Sequence, residues 1–232
     1  MEVLGGVRYD AVFLDVDGTM LWMDLDLEGY VEDLAPYAAG ELTPHRAARP
    51  VQEALREYIQ ENVRYRTVEE LNGFKHANAR RTARLLGLDA PPEVLLESLE
   101  RRLSFNLFPE TVEVLEELRK TGAGLYVVSN WDILLEDVLE EMGILGYFDG
   151  LIVSALVGAE KPDRRIFREA LRVSRTDPRR AVHVGNDPVA DVRGAAACGI
   201  DAVLVDRSGE VEAPEAVATI PDLGRLPELV GS

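Results

Sequence analysis

Cysteine is nearly absent from this chain: Cys198 is the only one in 232 residues. No internal disulfide can form, so a reducing compartment, read as the cytoplasm, is the natural setting. Long hydrophobic runs are missing too. No segment approaches the roughly 20 apolar residues that a membrane-spanning helix needs, so no membrane partner is expected. The opening MEVLGGVRYD lacks the basic segment and apolar stretch of a secretory leader. Basic residues are scarce relative to acids, 25 Lys and Arg against 42 Asp and Glu, for a formal charge of −17. Such a surface repels nucleic acid and anionic lipid alike. A small anionic substrate is not excluded, because one lysine or a bound cation can reverse the field locally.

What is present is an ordinary globular composition, 47% hydrophobic and 29% charged, in a chain long enough for one large domain or two modest ones. Five short apolar runs read as parallel strands covered on both faces: Ala11–Leu14, Leu125–Val128, Leu151–Val153, Ala181–Val184 and Ala202–Val205. Helix patterns lie between the later ones. Pro109-Glu110 opens a segment that Gly122 closes, and Asp132 and Asp163 are candidate caps for the next two. Alternation of strand and helix from Pro109 to Asp206 predicts an α/β, Rossmann-like parallel sheet flanked by helices.

The stretch from Met20 to Asn106 has a different texture. Apolar residues recur at helical spacing in three stripes, Val51/Leu55/Ile59/Val63, Ala79/Ala83/Leu86 and Val94/Leu95/Leu99/Leu103, and no strand stands out. An all-helical insertion of this length reads as a separate cap domain and not as a crossover. The expected division is a core of 1–19 with 107–232, and a helical cap of 20–106. From Arg207 onward the reading is a loop and a short helix around Leu223–Leu229.

Four strand ends carry the chemistry. AVFLDVDGT places Asp15 and Asp17, then Gly18 and Thr19, at the end of the first strand, the edge where open parallel sheets bind ligands. VVSN ends another strand in Ser129 and Asn130, a hydroxyl and a backbone N–H suited to phosphate oxygens. Glu160-Lys161-Pro162-Asp163 sets a lysine just before a helix, where its charge can neutralise a phosphoryl group. HVGNDPVAD runs from an apolar strand into Asn186, Asp187 and Asp191, oxygen donors of the kind Mg²⁺ takes. Asp187 and Asp191 also suit the start of a helix at Pro188.

These four elements, in this order, resemble the haloacid dehalogenase superfamily over about Tyr9–Thr19 and Phe108–Asp206, with the helical stretch in the place of that superfamily's cap. The resemblance implies a Mg²⁺-dependent hydrolase acting on a small phosphorylated metabolite through an aspartyl-phosphate. Asp15 would be the nucleophile and Asp17 the general acid and later base. Lys161 would steady the charge, Gly18, Thr19, Ser129 and Asn130 would bind substrate, and Asp15, Asp17, Asp187 and Asn186 would hold the metal. The superfamily commonly has an aspartate directly after the glycine, where this chain has Asn186. By position Asn186 should face the metal; by charge Asp187 is favoured, with Asp191 supporting the loop. Electrostatics agree with the implied chemistry, since a carboxylate attacking a phosphate dianion needs cations between the two anions.

Other readings fit less well. The 2-haloacid dehalogenases of the superfamily typically carry a tyrosine where this chain has Asp17. A sugar-phosphate mutase would share the first motif and the cap. Phosphoacceptor receiver modules are much shorter, and a binding protein that had lost activity would have no need of Asp15, Asp17, Ser129 and Lys161 together. Trp22, Met23 and Tyr30 read mainly as cap packing, Trp131 as core packing beside the site, and His76, Arg80 and Arg81 as solvated surface. His45 and His183 have no visible role, and Cys198 reads as buried and inert.

Overall fold

The computed structural model describes residues 9–231. They fall into two compact units, 9–22 with 106–231, and Met23–Phe105.

In the first unit, strands β1 (Ala11–Leu14), β4 (Gly124–Ser129), β5 (Gly150–Val153), β6 (Ala181–Gly185), β7 (Asp201–Val205) and β8 (Ala218–Ile220) form one sheet. Their order is β5-β4-β1-β6-β7-β8, and every pairing is parallel. The α/β architecture expected from the sequence is therefore the observed one. β1 sits in the middle, with Ala11 in register with Gly124 on one side and Ala181 on the other. All four β1 residues are buried, which is why the strand is apolar throughout instead of alternating. On one face Ala11 and Phe13 pack with Val128, Ile152, Ile166 and Phe167. Burying side chains of this size contributes about 1.5–3 kcal/mol each.

The crossovers are built from helices with clear ends. α5 (Thr111–Thr121) stops at Gly122, which adopts the left-handed conformation at φ 81°. α8 (Arg164–Ser174) is capped by Asp163, whose carboxylate accepts from the Arg165 N–H. Because the strands are parallel, Leu14, Ser129, Val153, Gly185 and Val205 all end at one edge of the sheet. The chain leaves β1 for β4 on one side and reaches β6 on the other, so that edge holds the crevice of an open parallel sheet beside β1.

The second unit contains α1 (Leu27–Leu34), α2 (Pro44–Glu61), α3 (Val68–Leu86) and α4 (Pro92–Arg102). Asp26, Thr43 and Thr67 cap the first three through their side-chain oxygens. Tyr30, Leu34, Ala47, Val51, Ala83 and Leu95 form its apolar centre, so Tyr30 serves packing here. Ile59, expected on an apolar stripe, is 54% exposed. The all-helical reading needs correction. β2 (Leu21–Leu25) and β3 (Leu103–Leu107) pair as a two-stranded sheet. Both are short and only partly buried, and Leu103 continues the spacing of α4, so its helical stripe masked the strand. β8 likewise lies in the stretch expected from the sequence to be loop. Among the described residues no helix is long and apolar enough to cross a membrane.

Within this unit Asp33 accepts hydrogen bonds from Arg102 at 3.0 Å and Ser98 at 2.8 Å, and Ser98 is fully buried. These bonds, Arg102 first, hold the Asp33 carboxyl well below the usual carboxylate range. A depressed carboxyl contributes stability above its unfolded value, about pH 4, and loses it as pH falls through the folded value. Asp33→Asn is therefore expected to lower Tm at pH 7, with the deficit to wild type shrinking steadily below about pH 4. Melting both proteins across pH 2–7 checks this, and a deficit independent of pH would refute it.

Candidate active site

Asp15 follows β1 directly, and its backbone N–H bonds to the Val184 carbonyl at 2.9 Å, extending the sheet by one residue. The residue is only 8% exposed. Oδ1 accepts the Ser129 hydroxyl at 2.9 Å and lies 2.7 Å from Lys161 Nζ. Burial raises the Asp15 carboxyl above its ordinary value and Asp191 adds to the rise, while Lys161 pulls it down. Three of the motifs read from the sequence thus converge on one carboxylate oxygen.

Lys161 comes from the loop before α8, and its bond to Pro162 is cis. Its ammonium bridges Asp15 and Asp191, the latter at 2.6 Å. Burial disfavours the charge, but the two carboxylates outweigh it and raise the Lys161 pKa. Its backbone is fixed by Asn130, whose Nδ2 donates to the Lys161 carbonyl at 3.0 Å and whose Oδ1 accepts the Lys161 N–H at 2.7 Å. The Asn130 side chain is thus occupied in holding Lys161, a use that the Ser-Asn pair alone does not reveal.

Asp191 is buried and accepts three hydrogen bonds: Lys161 and His183 Nε2 on Oδ1, and the Asp187 N–H on Oδ2. Although burial opposes ionisation, Lys161 and then His183 hold its carboxyl well below the usual range. Gly185 is required for this arrangement, because a Cβ there would collide with the Asp191 carboxylate.

Asp17 reaches solvent two residues beyond Asp15. Partial desolvation, and then the Asp15 charge, raise its carboxyl above the ordinary value. Gly18 turns the chain at φ 72°, and a Cβ there would collide with the Asn186 side chain. Thr19 is fully buried, and its hydroxyl donates to Asn186 Oδ1 at 3.5 Å. Asn186 therefore lies directly over the first loop. Asp187 is turned elsewhere: its Oδ1 accepts the N–H groups of Val189 and Ala190, both at 2.7 Å, capping the helical turn Pro188–Arg193.

A contributor that the sequence did not disclose is Arg207. It donates to the Thr19 carbonyl at 2.8 Å and to Glu110 at 2.7 Å, and its guanidinium lies 3.4 Å above the Phe108 ring. Trp22 packs on the same ring at 4.9 Å. Of the cap residues considered from the sequence, Arg81 pairs with Glu57 and His76 bonds to the Asn72 carbonyl.

The donors fit a hard divalent cation such as Mg²⁺. Among the described residues no cluster of three His, Cys, Asp or Glu side chains forms a metal cage. Asp15, Asp17 and the Asn186 amide are all oxygen donors, and Mg²⁺ is commonly held by one or two carboxylates together with substrate and water. One buried ammonium serves both Asp15 and Asp191, so the site also carries excess negative charge.

Comparison with known proteins gives a consistent picture. Haloacid dehalogenase-like hydrolase domain-containing protein 3 of Mus musculus is 39% identical over 111 residues, 48% of this chain and 44% of that protein. The chain spans about half the length of the first curated relatives it matches. Glyceraldehyde 3-phosphate phosphatase of Methanothermobacter thermautotrophicus is 31% identical over 95% of this chain and 99% of its own. The crystal structure of a HAD phosphatase from Thermococcus onnurineus superposes with a TM-score of 0.61, at 27% identity, covering 96% of this chain and 98% of that one. Solved 2-haloacid dehalogenases share the same fold. The family model for haloacid dehalogenase-like hydrolases matches residues 9–199, and with the motifs in this arrangement the chain belongs to that family.

Proposed function

We propose that this hydrolase is a Mg²⁺-dependent phosphatase that cleaves a small phosphomonoester through an aspartyl-phosphate on Asp15. The observation that carries the reading is the buried Asp15 carboxylate with Lys161 Nζ at 2.7 Å and the Ser129 hydroxyl at 2.9 Å. The phosphatase names of full-length relatives support it. Asp15 attacks phosphorus, the bond to the ester oxygen breaks, and Asp17 donates the proton that the departing alkoxide needs. Its raised carboxyl suits that role, since an acid must still hold its proton when the leaving group departs. Asp17, now a base, takes a proton from the water that attacks the aspartyl-phosphate, releasing phosphate and restoring Asp15. Lys161 offsets charge at Asp15 and on the transferring group. Mg²⁺, when bound, would supply charge neutralisation for the phosphoryl transfer.

For the metal we place Asn186 beside Asp15 and Asp17, and assign Asp187 to capping. This reverses the preference drawn from charge, because the Asp187 carboxylate is engaged by two backbone N–H groups while Asn186 lies over Gly18. We assign residues 20–106 the role of a cap that selects the substrate. Asp17, where the dehalogenases typically carry tyrosine, favours phosphate ester hydrolysis over dehalogenation. The single cysteine supports a reducing, cytoplasmic setting.

Two measurements check this reading. Wild type should release phosphate from members of a panel of sugar, nucleotide and short-acid phosphates. Asp15→Asn should remain folded and lose activity to background, a loss on the order of a millionfold where a nucleophile is essential; a folded variant retaining a tenth of wild-type turnover would sink the nucleophile assignment. In a Mg²⁺ titration, Asn186→Ala should raise the half-activating concentration about 10- to 100-fold and Asp187→Ala much less. The opposite order would return the ligand role to Asp187.

A further inference from the structure

Strand β6 reads Ala-Val-His-Val-Gly, and all five residues are buried. His183 has no exposed surface, and its Nδ1 has no hydrogen-bond partner among the described residues. A buried polar atom left unpaired lowers stability, and an aliphatic side chain would suit this apolar strand better. The other ring nitrogen accounts for the position. Nε2 lies 2.9 Å from Asp191 Oδ1. An ionised carboxylate only accepts, so Nε2 carries the proton and Nδ1 is a bare lone pair, the less costly atom to leave unpaired. Phe167 meets the ring edge-on, with centroids 5.2 Å apart and planes at 83°, which fixes its orientation.

Asp191 and Asp15 compete for one ammonium. Lys161 Nζ lies 2.6 Å from Asp191 and 2.7 Å from Asp15, an almost even division. Asp191 Oδ2 takes the Asp187 N–H, and Oδ1 shares Lys161 with His183. We infer that His183 is a positioning residue for Lys161: by donating to Asp191 it anchors that carboxylate and limits how far it draws the ammonium away from Asp15. Without the Nε2–H, Lys161 is the only remaining side-chain donor to Asp191 among the described residues, and it shifts towards that partner. Asp15 and the transferring group then lose part of their counter-charge. The catalytic consequence rests on the phosphatase reading given above; the geometric one does not.

The test compares His183→Phe, which keeps an aromatic ring but removes the donor, with His183→Gln, which restores an N–H. In the wild type, ¹⁵N NMR should show His183 with its proton on Nε2. The Lys161 ammonium signal should move in His183→Phe and return towards its wild-type position in His183→Gln. With a phosphomonoester substrate, kcat should fall about 10- to 100-fold in His183→Phe with KM within about threefold, and His183→Gln should recover most of it. Should His183→Phe fail to fold, His183→Met carries the same expectations. A proton on Nδ1, or an unmoved Lys161 signal in a folded donor-less variant, overturns the inference. Equal kcat losses in the glutamine and donor-less variants also overturn it, because they would indicate packing alone. The Lys161 signal reports whether or not ester is turned over, so an inactive wild type counts against the phosphatase reading only.

Discussion

Lys161 carries its charge into a place where water cannot solvate it, between Asp15 at 2.7 Å and Asp191 at 2.6 Å. Burying an ion costs several kcal/mol unless partners and hydrogen bonds replace its hydration. Here the replacement is mutual, and three separate stretches of chain supply it. Take away the ammonium and two carboxylates face each other in a low dielectric; take away either carboxylate and the lysine is underpaired. The surroundings are shaped by that constraint. Asn130 fixes the lysine backbone from both sides, Gly185 leaves room for the Asp191 carboxylate, and Ser129 donates to the same Asp15 oxygen as the lysine.

The arrangement also bears on how so acidic a protein can handle an anion. A net charge of −17 repels phosphate at a distance, yet the field within a few ångströms of Asp15 is set by local groups. One lysine shared by two carboxylates does not make that locality positive. The excess negative charge left by Asp15 and Asp191 is what a divalent cation would offset, and under the proposed phosphatase reading this would tie metal binding and substrate binding together electrostatically.

Legibility in the sequence followed the kind of interaction involved. β1, β4, β5, β6 and β7 could be read directly because burial on both faces makes a strand continuously apolar. The strands β2, β3 and β8 could not, because they are partly exposed and polar residues interrupt them, so they carry no such run. Strand ends marked the positions of Asp15, Ser129 and the segment after Gly185. How those side chains pair was hidden, since Lys161 and Asp191 meet across the fold. That the Asp187 carboxylate caps the following helical turn was also hidden, as the first N–H groups of such a turn claim the nearer carboxylate. His183 heads the HVGNDPVAD stretch but carried no signal of its own; a lone histidine in an apolar run acquires meaning only when its partner is known.

The central place of β1 has a consequence for how the protein is made. Ala11 pairs with Gly124 and Ala181, so β1 leaves the ribosome well before either of its neighbours. Meanwhile the whole of Met23–Phe105 has emerged, and its helices can gather around their own apolar centre. Pairings this distant in sequence are slow to close, because loop entropy must be overcome before any contact forms. A nascent chain that ends before β6 therefore carries β1 with an unsatisfied edge, a segment of the kind that chaperones shield.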